Sequence, residues 1–458
     1  MIRCFVIFGA SGDLTARHLL PTLAQLHQAG KLPANMTVLG VAPERWDTAY
    51  FQDRIRTKLK QHAPDLTDAT VGSLVARLQY RRADVTKPDE IKTALASVSD
   101  AAAFYLALPP AVFLPAAKSI IAAGVPEGSR IVIEKPFGTD LQSTRDLNEL
   151  LHRSFTEQAI FRMDHFLGKQ TVQNILGLRF ANRIFEPLWN SGHIERVEIT
   201  WDETLTVEGR AGFYDATGTL RDMLHNHLLQ LLCLIAMEPP PSFAERDLRN
   251  YKVALLWAAR RFSPAEIAKW TQRGRYAAGK IGDREVPDYI REPGVDPARG
   301  TETFAQATLW IDNWRWAGVP FVMRSGKALG KNRREIAVFF KPVPHLAFAG
   351  GAPPRDNALR IELNPDRLAL ALNINGPGDP FDLENIELDA DLAPQEISPY
   401  GRLLLDLLRG DLTLSIRDDE AEESWRIIEP ILEAWRRGDV PLLEYPAGSD
   451  GPAPPNHV

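Results

Sequence analysis

Residues 2–8 form an apolar, β-rich run, Ile2-Arg3-Cys4-Phe5-Val6-Ile7-Phe8, that breaks at Gly9-Ala10-Ser11-Gly12-Asp13-Leu14. A helical pattern follows and stops near Ala29-Gly30. Further apolar runs occupy 37–41, 103–108 and 130–134, and Asp84-Val85-Thr86 closes another strand–helix unit. Strands alternating with helices predict a parallel sheet covered on both faces. Two of the strand exits carry prolines, at Leu108-Pro109-Pro110 and Glu134-Lys135-Pro136. Ligands of such sheets lie at the carboxyl ends of the strands. Lys135 precedes a proline, which steers its backbone away from the helical region and admits a cis bond.

The pattern changes after about residue 183. Residues 196–201 alternate apolar and polar, and 303–310, 335–340, 359–363 and 368–374 behave similarly. That periodicity predicts strands with one solvated face, in a mainly antiparallel sheet. Leu220 to Met237 reads as a buried helix, stopped by Glu238-Pro239-Pro240-Pro241. Later helices are expected at 400–408 and 420–435, and an irregular tail after Tyr445. The fold class is therefore a Rossmann-like, doubly wound α/β parallel sheet plus a C-terminal α+β domain with a large, mainly antiparallel sheet. The division is a dinucleotide-binding domain at 1–165 and a substrate-binding and dimerisation domain at 166–458.

With 458 residues the chain is long enough for two domains. Its 53 basic and 59 acidic residues give a net charge of −6, so no basic field for nucleic acid is expected. An anionic substrate would have to be held by a few placed cations. The first residues do not read as a signal peptide and no apolar stretch spans a bilayer, so no membrane association and a cytoplasmic location are expected. Cys4 and Cys233 both lie in apolar contexts and read as buried free thiols.

The glycine turn after the first strand lets backbone N–H groups approach a pyrophosphate at a helix start. It is not the full six-residue fingerprint, because position 11 is Ser. Two segments concentrate acids, bases and cations: Arg162-Met163-Asp164-His165-Phe166-Leu167-Gly168-Lys169 and Arg221-Asp222-Met223-Leu224-His225-Asn226-His227. Hydride removal from a carbinol carbon needs a base for the hydroxyl proton, and histidine suits neutral pH. No paired Cys/His spacing suggests zinc, and no metal is expected.

These stretches, together with Gly209 to Pro240, Thr301 to Lys327 and Tyr400 to Pro452, resemble the glucose-6-phosphate dehydrogenase family over nearly the whole chain. The resemblance implies that His227 is the general base and Asp164 its carboxylate partner. It implies that His165 and Lys169 hold the sugar's 6-phosphate, that Glu203 and Asp222 bond sugar hydroxyls, and that Lys327 is a further substrate lysine. Lys135 falls between cofactor and substrate. Gly9, Ser11, Gly12, Asp13, Leu14, Glu44 and Pro109 fall on the cofactor side. The expected cofactor is NAD or NADP, the product a 1,5-lactone, and the assembly a homodimer or dimer of dimers. His225 matches no family histidine and is expected to play a supporting role or none. Trp310, Trp314 and Trp316 are expected to pack at a domain or subunit interface.

Some positions depart from the family pattern. After the second strand the run is Gly40-Val41-Ala42-Pro43-Glu44-Arg45. Proline stands where the family commonly has an arginine for the 2′-phosphate, and the acid that follows suits a ribose 2′-OH. NAD is therefore the expected preference, with Arg17 and Arg45 as remaining cations. Phe166 replaces the usual tyrosine, and Asn332 replaces a cation five residues after Lys327. A weaker grip on the anion leaves sulfoquinovose as a competing substrate. A non-catalytic NAD(P)H sensor is the competing reading from another class.

Overall fold

Six strands of the first half pair in the order β3-β2-β1-β4-β5-β6. They are β1 (Cys4–Phe8), β2 (Thr37–Ala42), β3 (Leu78–Arg82), β4 (Ala102–Leu106), β5 (Arg130–Glu134) and β6 (Ile160–Met163). Every neighbouring pair is parallel. The order reverses between β1 and β4, the switch point at which doubly wound sheets open a crevice. Phe5 to Phe8, Phe104 to Leu106 and Ile131 to Ile133 are fully buried, which is why these strands read as continuous apolar runs. The sequence pattern did not reveal β6, because Arg162 interrupts it. That arginine is buried and donates to Glu157 at 2.8 Å and to the Asn148 side chain at 2.8 Å.

The structure, a computed structural model, describes residues 1–348, 353–378 and 382–453. It divides into two units. The first comprises Met1–Gln170, Pro240–Asn250 and Gln395–Glu422, and the second Thr171–Pro239, Tyr251–Pro394 and Glu423–Val458. In the first unit the helix Pro399–Arg409 starts on a Ser398 side chain that accepts from the Gly401 N–H. Gly168 is required by this helix: a Cβ there would stand 2.4 Å from the Pro399 carbonyl oxygen.

The second unit is built on nine strands in the order β16-β15-β14-β13-β7-β12-β11-β8-β17. They are β7 (Ile194–Asp202), β8 (Thr271–Ala277), β11 (Phe304–Trp310), β12 (Pro320–Gly326), β13 (Arg333–Phe340), β14 (Ala358–Leu363), β15 (Asp366–Asn375), β16 (Leu383–Asp391) and β17 (Leu442–Pro446). A separate hairpin joins β9 (Gly279–Ile281) to β10 (Arg284–Val286). Most pairs of the large sheet are antiparallel, but β7–β12 and β8–β17 are parallel. The long excursions between those partners make parallel crossovers possible. The hydropathy pattern missed β8 and β16 because their residues, Thr271-Gln272-Arg273-Gly274 and Glu384-Asn385-Ile386-Glu387 among them, are too polar.

The expected buried helix at 220–237 is present in two parts. Leu220–Leu228 is π-helical, and Leu229–Ala236 is α-helical and entirely buried. Cys233 is buried, whereas Cys4 is only half-buried, a correction that follows from its place at the first, outermost residue of β1. Trp316 is buried and donates to the Ala236 carbonyl at 2.6 Å. Trp310 packs edge-on to Trp270, and Trp314 is fully exposed. The tail from 447 to 453 is irregular, and the expectation for 454–458 lies outside the described residues. Among the described residues no helix is long and apolar enough to cross a membrane.

Candidate active site

In the first unit the candidate residues cluster at strand exits. Gly9 directly follows β1 with φ +86°, and its carbonyl accepts from the Gly12 N–H at 3.0 Å and the Thr15 hydroxyl at 3.1 Å. A Cβ at Gly9 would lie 2.2 Å from the Ala107 carbonyl oxygen, so only glycine fits between the ends of β1 and β4. The segment that follows begins as a π-helix, Thr15–Leu19, before becoming α-helical at Leu20–Gln28. Ser11, Gly12 and Leu14 are half-buried and Asp13 is exposed, paired with Arg17 at 3.5 Å. This turn, at the switch point, fits a dinucleotide phosphate.

Glu44 is half-buried just past β2, and its backbone carbonyl accepts from the Tyr80 hydroxyl at 2.9 Å. Burial, then the Glu44 charge, push Tyr80 up to about 12. Arg45 is exposed. Arg82, which the sequence reading missed, ends β3 and donates through Nε to the Pro43 carbonyl at 3.1 Å. It brings a guanidinium to the same loop. Pro109 precedes the helix Pro110–Ala123 at the exit of β4.

At the exit of β5, Glu134 accepts from the Tyr105 hydroxyl and from the Tyr400 hydroxyl, the latter at 3.3 Å. Desolvation raises its pKa against these bonds and the neighbouring Lys135 charge. Lys135 is half-buried, and the Lys135–Pro136 bond is cis. Tyr400 also stacks on two histidines, His165 at 5.6 Å and His18 at 5.3 Å between ring centroids. Burial, then Arg17, lower the His18 pKa. His165 therefore rests on an aromatic face supplied by a residue 235 positions later, which no local motif foretells.

Asp164 is fully buried and caps the short 3-10 turn His165–Gly168, accepting from the Phe166 N–H at 3.0 Å. Phe166 is buried, and the Lys169 ammonium lies 5.0 Å from its ring centroid. The ring offers the ammonium a cation–π face but no hydroxyl donor.

In the second unit Glu203 is the centre of a charged cluster. Its Oε2 accepts from Lys327 at 2.6 Å, and its Oε1 from Arg334 at 3.1 Å and from the Trp201 indole at 3.2 Å. Burial raises the Glu203 carboxyl, but Lys327, Trp201 and Arg334 outweigh it and hold the pKa below the ordinary carboxylate value. The Arg334 guanidinium also lies over the Trp201 ring at 5.0 Å. Arg334 and Trp201 are the members that sequence reasoning missed. Their signal was available in β-strand alternation, which puts Trp201 opposite Arg334 in the β7–β13 register. Asn332 accepts from the Thr204 N–H at 3.0 Å, so the residue in place of a cation is a backbone clamp beside Glu203.

Asp222 and His227 share the π-helical stretch Leu220–Leu228, with Asp222 half-buried and His227 buried. Such π segments are frequent at functional sites. Asn226 donates to the Arg221 carbonyl at 2.9 Å across the loosened turn. His225 is buried against Trp425, with ring centroids 3.9 Å apart, and so packs in the core of this unit.

Comparison with known proteins covers both units. Residues 6–174 match the family model described as glucose-6-phosphate dehydrogenase, NAD binding domain, and residues 176–458 match glucose-6-phosphate dehydrogenase, C-terminal domain. A glucose-6-phosphate 1-dehydrogenase of Mycolicibacterium smegmatis is 43% identical over 465 residues, covering 98% of this chain and 94% of that protein. The crystal structure of glucose-6-phosphate 1-dehydrogenase from Mycobacterium avium superposes with a TM-score of 0.86 at 35% identity, covering 99% of this chain and 96% of that one. A glucose-6-phosphate dehydrogenase in complex with its substrate glucose-6-phosphate also has a TM-score of 0.86, at 33% identity, covering 98% of this chain and 95% of that one. The chain belongs to the glucose-6-phosphate dehydrogenase family.

Proposed function

We propose that the protein oxidises C1 of glucose 6-phosphate, with NAD(P) as the hydride acceptor, to 6-phosphogluconolactone. The observation that carries this reading is the match of residues 6–174 and 176–458 to the two glucose-6-phosphate dehydrogenase family models, in a chain that aligns over 98% of its length with a glucose-6-phosphate 1-dehydrogenase; the set Asp164, His165, Lys169, Glu203, Asp222, His227 and Lys327, singled out by the sequence resemblance, is consistent with it. A bound nicotinamide supplies the acceptor for the hydride leaving C1. Gly9, Ser11, Gly12, Asp13 and Leu14 hold its phosphates, and Glu44, Pro109 and Lys135 border it.

In this reading His227 takes the proton of the C1 hydroxyl, and Asp164 is the carboxylate that orients it and stabilises the imidazolium. His165 and Lys169 grip the 6-phosphate. Glu203 and Asp222 accept from sugar hydroxyls, with Glu203 kept ionised for this by Lys327 and Arg334. Residues 1–165 carry the cofactor role, and residues 166–458 the substrate and dimer-forming roles, in a cytoplasmic homodimer or dimer of dimers.

NAD is the proposed preference, because Glu44 would accept from a ribose 2′-OH and repel a 2′-phosphate. The counterweight is the Arg82 guanidinium beside Pro43. The names of the relatives favour the phosphate sugar over sulfoquinovose, and an enzyme over a sensor. The test is absorbance of reduced nicotinamide with glucose 6-phosphate, sulfoquinovose and glucose, each with NAD and with NADP. The expected result is the highest kcat/KM for glucose 6-phosphate with NAD. A higher value with NADP would remove the cofactor preference, one for sulfoquinovose the substrate assignment, and no turnover on any pair the enzyme reading.

A further inference from the structure

A charged cavity, apart from the Glu203–Lys327 cluster, lies within the second unit. It measures about 430 Å³, and five arginines line it: Arg221, Arg273, Arg299, Arg436 and Arg437. Two acids share the lining, Asp215 and Glu302. In a chain with a net charge of −6 this is a local concentration of cations against the overall sign.

The two acids leave the five arginines in excess. Asp215 accepts from the Tyr289 hydroxyl at 2.8 Å, the Asp296 N–H at 3.1 Å and Arg299 at 2.9 Å, so its charge is spent on Arg299 and its own loop. Glu302 is buried and accepts from the Leu220 N–H at 3.0 Å; burial pushes its carboxyl up, against the Arg221 and Arg273 charges that it faces. Arg437 pairs with Asp439 at 2.8 Å. Arg436 and Arg437 are exposed at the mouth, on the last turn of the helix Asp418–Arg437. Arg273 is fixed by one edge, its Nε donating to the Val440 carbonyl at 2.9 Å, with the guanidinium 5.8 Å from the centroid of the Trp435 ring. Burial lowers its pKa, which an added anion would reverse.

We propose that this cavity binds a polyphosphate anion, either free pyrophosphate or the polyphosphate of a nucleotide. Guanidinium forks match phosphate oxygens in pairs, which an ammonium cannot do. The volume is that of a small-molecule site and exceeds what a single phosphate ion needs. The cavity also reaches the catalytic helix in sequence: Arg221 is followed at once by Asp222, and Glu302 holds the N–H of Leu220, the first residue of the π-helical stretch that carries His227. A ligand drawing on Arg221 therefore bears directly on that stretch.

The test is calorimetric titration of the full chain, saturated with NAD, with pyrophosphate and separately with adenosine triphosphate. The variants are Arg436→Glu/Arg437→Glu and, as a milder form, Arg436→Gln/Arg437→Gln. Lys169→Ala controls for the phosphate grip of the first unit. The expected result is saturable binding to the wild type, unchanged in Lys169→Ala and weakened at least about tenfold by either double variant, a loss of about 1.4 kcal/mol. Binding of pyrophosphate alone, or of the nucleotide alone, supports the site and identifies the source. Equal binding in the double variants, loss in Lys169→Ala, absence of binding, or full competition by sulfate at matched ionic strength overturns it. Because binding is read without turnover, its failure is distinguishable from failure of the proposed reaction.

Discussion

The first unit places its candidate residues on neighbouring strand exits of a parallel sheet, within a few positions of the turns that hold them. The second unit holds Glu203 by side chains 124 and 131 positions further along the chain, on or just beyond other strands of a mainly antiparallel sheet. The parallel sheet delivers its groups by backbone geometry: the Gly9 turn, the Glu134-Lys135 exit and the Asp164 cap each follow from the local chain path. The antiparallel sheet delivers them by cross-strand pairing, so the cluster exists only once the strands are in register. The first unit thus sets its groups mainly by the local chain path, with Tyr400 as a long-range support for His165 and Glu134, whereas the second sets Glu203 by long-range ion pairs. The second should respond more strongly to loss of one partner.

Lys327→Ala is the substitution expected to expose that difference most. It removes the 2.6 Å partner of Glu203 and leaves Arg334 and Trp201 in place. Loss of one charge-assisted bond, about 1.5–3 kcal/mol, corresponds to a fall in kcat/KM of about 10- to 150-fold, carried mainly by KM. A change under threefold, in steady-state assays, would show that the cluster is not a unit. The Glu203 carboxyl, held low by its cations, should titrate higher in this variant.

A smaller effect is expected in the first unit, on the helix that brings Tyr400 to His165. Asp406 on that helix pairs with Arg402 at 2.9 Å, but burial pushes its carboxyl up to about 6. A carboxyl raised in the folded state binds its proton more tightly there than when unfolded. Its contribution is therefore fully present below the ordinary value of 3.8 and is lost as pH rises through about 6. Asp406→Asn should flatten the dependence of Tm on pH across this window. An unchanged slope in thermal melts would remove Asp406 as its source.

Much of the first unit was legible because its signals are local. The strand, glycine turn and helix at 4–28, the proline-marked exits and the Asp164 to Lys169 segment are all readable from neighbouring residues. Arg162 hid β6, since a buried arginine satisfied by Glu157 and Asn148 looks like a break in an apolar run. In the second unit β7, β11, β13, β14 and β15 were visible by alternation, while the polar β8 and β16 were not. The roles of Tyr400 and Arg334 were out of reach of local pattern, because each depends on a partner in a distant segment. Likewise no composition shift marks 240–250 or 395–422 as parts of the first unit.

In the proposed reaction His227 initiates hydride loss from C1 of glucose 6-phosphate. The most direct measurement follows deuterium from C1-labelled glucose 6-phosphate into the reduced nicotinamide, for the wild type and for His227→Ala. The account predicts transfer of the label by the wild type, and a rate about 10²- to 10⁴-fold lower in the variant with cofactor binding intact. Reduced nicotinamide without label, or wild-type kcat in His227→Ala, would contradict it.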